Sequence, residues 1–188
     1  REWGISNDDK LIGLIGSLSE LKGQSLLIQA AKILLHDQVS VRYVLVGDGP
    51  YGYKKHLMQL TEEAGVQGLF TFAGLRDDMT SVYSALDVFV SCSSSEGFPN
   101  SVGEAMSCGV PCVVTDVGDS SLIVGDLGIV IPPGSVNWLA NEIRNRLNRS
   151  EGNIKRGSSG SRDRIEANFS EKQYIETTEN LFQSSLIN

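Results

Sequence analysis

The stretch Ser91-Cys92-Ser93-Ser94-Ser95-Glu96-Gly97-Phe98-Pro99-Asn100-Ser101-Val102-Gly103-Glu104-Ala105-Met106-Ser107-Cys108-Gly109 follows an apolar run, Leu86 to Val90, through a polar turn into a short helical segment closed by glycine. Strand, loop and helix in that order form the repeating unit of a parallel sheet. Two carboxylates, Glu96 and Glu104, bracket the turn.

The same unit recurs on both sides of this stretch. Leu11–Gly16, Val41–Gly47, Leu69–Gly74, Asp87–Cys92, Pro111–Thr115 and Gly128–Ile131 are short runs rich in Val, Ile, Leu and Phe, the pattern of strands buried on both faces. Helical patterns at Gln24–His36, Tyr53–Ala64, Met79–Ala85, Asn100–Ser107 and Ser120–Val124 separate them. Such alternation predicts an α/β fold, a Rossmann-like doubly wound parallel sheet of about six strands in the order 3-2-1-4-5-6. After Pro132-Pro133-Gly134 the alternation stops. Residues 135–188 read as a C-terminal helical segment with helices near Val136–Leu147, Glu151–Ala167 and Glu171–Phe182, the last one N-capped by Ser170.

The chain of 188 residues suits one domain spanning residues 1–188. A net charge of −7 and a pI near 4.8 offer no basic stripe to neutralise phosphates in number, so a nucleic-acid surface is not expected and any phosphate chemistry must be local. The cysteines Cys92, Cys108 and Cys112 are odd in number and form no C-x-x-C pair, which points to a reducing, cytoplasmic compartment. No apolar run approaches the ~20 residues of a membrane span and no signal peptide is visible. The first residue is Arg1, as expected of a piece of a longer chain.

In the expected strand order the ligand crevice lies where the order reverses, outside the carboxyl ends of strands 1 and 4. Two loops are thereby selected: Ser17-Leu18-Ser19-Glu20-Leu21-Lys22-Gly23 and the stretch quoted above. Lys22 stands at a helix entrance, where its charge and the helix-start amides would act together on a phosphate group; the plain alternative is a solvated surface lysine. In the second loop Gly97 permits close approach of backbone to a ligand, Pro99 suits a first helical turn, and the amides near Asn100–Val102 can take an anion. Glu96 precedes the helix and is expected to point into the cleft, where it can accept hydrogen bonds from sugar hydroxyls.

Glu104 has two readings. Ser101-Val102-Gly103-Glu104 fits the S-x-x-E capping box, in which the glutamate merely satisfies a backbone amide. The helix is short, however, and carries Gly103, which costs ~1 kcal/mol relative to alanine and so suggests close packing against a neighbour. The remaining chemistry-bearing residues have plain readings. Cys108-x3-Cys112 has no histidine nearby and reads as buried thiols, His36 and His56 as surface residues, Phe98 as packed beneath the loop, and Trp3 and Trp138 as packing residues.

Taken together, Glu96-Gly97-Phe98-Pro99-Asn100, Glu104-Ala105-Met106 and Cys108-Gly109-Val110-Pro111-Cys112-Val113-Val114-Thr115-Asp116 resemble the E-x7-E region of GT4-type (group 1) retaining glycosyltransferases. Ile15-Gly16 with Lys22-Gly23, Val46-Gly47-Asp48-Gly49-Pro50, Phe72-Ala73-Gly74 and Ile131-Pro132-Pro133-Gly134 resemble that family at the first, second, third and sixth strand ends. The resemblance implies the C-terminal, donor-binding half of a GT-B architecture, whose N-terminal acceptor domain this chain lacks.

It also implies roles. Lys22 would hold the donor diphosphate, Glu96 the donor sugar, and the backbone of Gly97, Phe98, Pro99, Asn100 and Ser101 the sugar and phosphates. Glu104 would take the ribose hydroxyls, Leu75 and Arg76 would lie near the base, and Ser17 and Gly47 would belong to the donor loops. Lys22 and Glu96 are the catalytic candidates. The implied donor is a UDP- or GDP-sugar, the acceptor a sugar or lipid-linked acceptor bound through the missing N-terminal domain, and no cofactor or metal is implied, in keeping with the lack of a D-x-D pattern. The reaction would be sugar transfer with retention, in polysaccharide or glycoconjugate biosynthesis, and the isolated domain would be inactive. Many family members carry arginine where this chain has Ser17, a large apolar residue at Gly103 and a glutamate near Ser120–Leu122.

Four rivals share parts of the pattern. Gly47-Asp48-Gly49-Pro50-Tyr51-Gly52 matches the G-x-G-x-x-G of dinucleotide-binding dehydrogenases, but it follows the second strand, away from the switch point. A GT-B-type nucleotide-sugar epimerase shares the architecture without the E-x7-E arrangement. A non-catalytic nucleotide-binding domain is the reading that Ser17 favours. Glu96 and Glu104 as a glycosidase acid/base pair is disfavoured by the phosphate-type loop between them.

Overall fold

The computed structural model describes residues 3–6, 8–35, 37, 40–148 and 151–185; His36 lies outside them. Six strands, β1 (Lys10–Ile15), β2 (Val41–Val46), β3 (Phe70–Gly74), β4 (Val88–Ser91), β5 (Cys112–Thr115) and β6 (Ile129–Ile131), form one sheet in the order β3-β2-β1-β4-β5-β6. All neighbouring pairs are parallel, and each strand lies within a residue of its expected bounds.

The helices are α1 (Gln24–Leu34), α2 (Tyr51–Glu63), α3 (Met79–Ser84), α4 (Asn100–Ser107), α5 (Ser120–Val124), α6 (Val136–Leu147), α7 (Glu151–Phe169) and α8 (Glu171–Ser185). Successive strand residues point to opposite faces, so neighbours in β2 are divided between two cores. Tyr43 and Leu45 pack with Leu27 and Ile28 of α1, Leu57 of α2 and Leu139 and Ile143 of α6. Val44 and Val46 pack with Val82 and Tyr83 of α3, Val102, Ala105 and Met106 of α4, and Ile123 and Val124 of α5. Helices on both faces leave the strand ends as the place where loops can reach a ligand.

The junction of β1 with β4 is reinforced at its amino end. Asp87 accepts from the Leu11 amide (2.8 Å) and from Lys10 Nζ (3.0 Å), while its own amide donates to the Leu11 carbonyl (2.8 Å). Gly13, paired with Phe89 in the register, faces the Leu86 side chain so closely that a Cβ would meet it. Residues outside the alternation close the structure. Arg162 Nε donates to the Ser107 carbonyl (2.8 Å) and Arg164 Nε to the Ile123 carbonyl (2.9 Å), tying α7 to the ends of α4 and α5, where helix carbonyls lack intrahelical partners. Ser170 Oγ accepts from the Gln173 amide (3.3 Å), as its N-cap reading requires.

Two expectations about packing do not hold. Trp3 packs against the second core, but Trp138 on α6 is 56% exposed, because the helix buries Leu139, Ala140 and Ile143 and turns its next-door position outward. Cys92 and Cys112 are buried free thiols, whereas Cys108, one residue past α4, is only partly covered. No helix among the described residues is long and apolar enough to cross a membrane.

The glycines of Gly47-Asp48-Gly49-Pro50-Tyr51-Gly52 serve different ends. Gly47 has φ +133°, and a Cβ there would overlap the Gly16 carbonyl oxygen; Gly52, inside α2, has open space around it. In a dinucleotide fingerprint the last glycine permits close packing of helix on strand, and no such contact exists at Gly52. Replacing Gly47 with alanine is therefore expected to destabilise the fold by about 2–3 kcal/mol through strain and overlap. Gly52→Ala should instead stabilise by about 0.5–1 kcal/mol through lost chain entropy. Reversible urea unfolding of the two variants measures both signs.

Candidate functional site

Strand order brings the β1–α1 loop and the β4–α4 loop side by side at the carboxyl edge of the sheet. Three contacts stitch them together. The Ser94 amide donates to the Leu21 carbonyl (2.8 Å), Cys92 Sγ donates to the Gly23 carbonyl (3.0 Å), and Lys22 Nζ meets Glu96 Oε1 at 2.6 Å. Gly23, at φ +69°, closes the short 3-10 turn Glu20–Lys22 and starts α1; a Cβ on it would overlap the Cys92 carbonyl oxygen. Gln24, wholly buried at the first position of α1, donates from Nε2 to the Ser17 carbonyl (2.8 Å) and so pins the other end of the same loop.

The β4–α4 loop is fixed from its other side as well. Thr115 Oγ1, at the end of β5, donates to the Ser93 carbonyl (2.7 Å), and the Asp119 amide donates to the Gly97 carbonyl (2.9 Å). Gly118, at φ +52°, lets the next loop pass directly over the carbonyls of Glu96 and Gly97. The carboxylate of Glu96 is thus held on a rigid platform. Its Oε1 also accepts from Ser93 Oγ (2.7 Å), its side chain is only 10% exposed, and Lys22 keeps 27% exposure towards solvent. Ser93-Ser94-Ser95-Glu96 is itself an S-x-x-E pattern, a signal in the sequence that points to this serine–glutamate bond.

The capping box at Ser101 does not form. Pro99, with ψ 93°, is the residue flanking α4, so Ser101 already lies inside the helix, and no side chain caps this end. Glu104 turns the other way and accepts from the Tyr83 hydroxyl through Oε2 at 2.6 Å. Burial, and then the charged Glu104 beside it, push the Tyr83 phenol above its ordinary range. The amides of Asn100 and Ser101 have no partner among the described residues, which leaves them free for an anion at the start of an eight-residue helix.

Gly103 is likewise not a point of close packing. A Cβ there would meet nothing within 4 Å, because Gly103 lines a cavity of 440 Å³ between α3 and α4 together with Met79, Thr80, Tyr83, Asn100 and Glu104. Phe98, expected beneath its loop, is 47% exposed and lies over Phe169 with ring centroids 5.7 Å apart, at the rim of that cavity.

The expected residues fall into three groups. Lys22 and Glu96 meet at the switch point, and the Gly97–Ser101 backbone runs on from Glu96 into α4. Glu104 stands one helical turn beyond Asn100 in the cavity. Leu75 and Arg76 follow β3 on the loop into α3, with Leu75 exposed and Arg76 held by both oxygens of Asp78 (2.8 and 2.9 Å). Ser17 is exposed at the start of the first loop, and Gly47 serves the backbone crossing already described rather than an open surface. His56 is exposed on α2. No group of three or more His, Cys, Asp or Glu side chains suited to a metal ion occurs among the described residues. Tyr83, Gln24 and Thr115 went unread in the sequence, since each acts on a residue whose proximity depends on tertiary structure.

Over residues 9–149 the chain matches the model of the family described as Glycosyl transferases group 1. It is 30% identical over 145 residues to the N-acetyl-alpha-D-glucosaminyl L-malate synthase of Bacillus anthracis, covering 76% of this chain and 37% of that protein. Among solved structures, Anabaena HepE in complex with UDP superposes with a TM-score of 0.82 at 28% identity, over 92% of this chain and 49% of that one. The C-terminal domain of a group 1 glycosyl transferase, LpcC of Francisella tularensis, shares the fold with a TM-score of 0.73 at 22% identity, over 86% of this chain and 87% of that one. The chain thus spans well under half of the curated relative and about half of the Anabaena protein.

Burial raises the thiols of Cys92 and Cys112 from 9.0 to about 12. A raised folded-state value gives stability that is complete below pH 9 and lost as pH climbs towards about 12. Urea midpoints should therefore fall markedly from about pH 7.5 to about pH 10.5, with the buried phenols of Tyr43 and Tyr83 adding to the loss at the upper end. The Cys112→Ala variant should lose less over the same interval.

Proposed function

The chain belongs to the group 1 glycosyl transferases, and from that premise we propose that it is the donor-binding part of a retaining enzyme that moves a sugar from a nucleoside diphosphate to an acceptor. The observation that carries this reading is the meeting of Lys22 with Glu96 at the switch point, with the free amides of Asn100 and Ser101 at the start of the helix into which the Glu96 loop runs. A diphosphate laid there meets the positive charge of Lys22 and a helix N-terminus.

In this reading Lys22 exchanges part of its bond to Glu96 for a phosphate oxygen. Glu96, anchored by Ser93 and freed on one side, accepts hydrogen bonds from hydroxyls of the transferred sugar. Glu104 accepts from the ribose, and Leu75 and Arg76 lie towards the base. As the bond from the anomeric carbon to the diphosphate breaks, negative charge grows on the leaving oxygen, where Lys22 and the α4 amides stabilise it without moving. Such preorganisation suits the three-sided fixing of the β4–α4 loop. The acceptor enters from a further domain, and polysaccharide or glycoconjugate synthesis is the setting. The UDP complex of the Anabaena relative supports a nucleoside diphosphate as the ligand class. The free thiols favour a cytoplasmic site of action.

Calorimetric titration of the chain with UDP and with GDP is expected to show binding of one of them. Lys22→Ala and Glu104→Ala should each weaken it about tenfold or more, the scale of one charge-assisted hydrogen bond. Absence of binding by either nucleotide, or affinity indifferent to both substitutions, would overturn the assignment.

A further inference from the structure

We propose that Tyr83 is a positioning residue for the nucleoside: its hydroxyl holds the Glu104 carboxylate in the orientation that receives the vicinal diol of a ribose. The inference rests on the ribose role given to Glu104 above, and it concerns a residue that touches the ligand only through that carboxylate.

Tyr83 is built into the core. It is 2% exposed, its ring stands edge-on to Phe89 of β4 at 6.0 Å and 62°, and it lines the cavity between α3 and α4, where its hydroxyl meets Glu104. A buried tyrosine has two torsions, both fixed by packing, so the hydroxyl is a rigid point in the site. Glu104 is the opposite case. It is exposed on one face of α4, and its longer side chain hydrogen-bonds to Tyr83 and to no other residue among the described residues. A carboxylate of that kind samples several rotamers and loses them on binding, which weakens whatever it binds.

The 2.6 Å bond to a charged acceptor is short and of the strong class, and it removes most of that freedom before a ligand arrives. It engages Oε2 alone, so Oε1 and a second lone pair of Oε2 remain for two hydroxyl donors. Gly103 leaves the space beside the carboxylate empty, and Asn100 lines the same cavity one turn away. A pair of adjacent hydroxyls fits a carboxylate with one oxygen already anchored and its remaining lone pairs open. Tyr83 thereby links the core to the nucleoside subsite.

A purely structural role, in which Glu104 only satisfies a buried phenol, makes a different prediction from a positioning role. The comparison uses calorimetric affinities for UDP and for 2′,3′-dideoxy-UDP, and for GDP and its dideoxy analogue, with the wild-type chain, Glu104→Ala and Tyr83→Phe. The wild type is expected to prefer the diol about tenfold or more, and Glu104→Ala to lose that preference. Tyr83→Phe, which keeps the ring and its packing, should cut the preference to about a third or less while leaving dideoxy affinity unchanged. Full retention of the preference in Tyr83→Phe, alongside its loss in Glu104→Ala, overturns the positioning role and leaves the ribose assignment standing. Equal weakening of diol and dideoxy ligands by Tyr83→Phe also overturns it, since that is the mark of disturbed packing. A preference that survives Glu104→Ala removes the ribose assignment and this inference with it.

Discussion

Strand β1 is paired with β2 on one edge and with β4 on the other, and everything at the carboxyl end of the sheet depends on that double pairing. The register with β4 is short, Ile12 with Val88 and Gly13 with Phe89, and the three bonds that Asp87 makes to Lys10 and Leu11 lock it at its start. Because parallel strands begin at the same end, fixing the amino ends also fixes where the two chains emerge. Lys22 and Glu96, 74 residues apart in sequence, are delivered to within hydrogen-bond distance by this geometry.

The architecture was legible because it is written in the period of the apolar residues. Val41 to Val46 and Val88 to Ser91 are too short for helices and too apolar for surface, so their strand identity follows from length and composition. The alternation with helices calls for a parallel sheet, 3-2-1-4-5-6 is the doubly wound order expected of it, and the switch point follows from that order. That Lys22 and Glu96 face one cleft needed nothing further, whereas their direct bond was not read.

What the sequence concealed has a common physical cause. Ser101 and Glu104 have the spacing of a capping box, but Pro99 sets the helix start one residue ahead of Asn100, and the serine falls inside. Local spacing identifies a possible bond without fixing which residue begins the helix, and a shift of two positions removes it. The same spacing at Ser93 and Glu96 does bring a serine hydroxyl to a glutamate. Tyr83 belongs to α3 and Glu104 to α4, and no periodicity within either segment announces their contact. Gly103 misleads in a related way, since a missing side chain is compatible with tight packing and with an open cavity, and only the position of α3 decides between them.

The ion pair of Lys22 with Glu96 makes the empty site self-compensated. An isolated anion that draws Lys22 away leaves Glu96, almost without solvent access, short of one of its two donors. A ligand that brings phosphate and sugar hydroxyls together replaces the lysine as it takes it, so on the proposed function the intact donor is accepted as a unit. Once the sugar has gone to the acceptor, the remaining diphosphate competes with Glu96 for Lys22 and offers nothing in return. On that proposal the two side chains that admit the donor also help to expel the spent nucleotide, because the bond between them is fully restored only when the site is vacant.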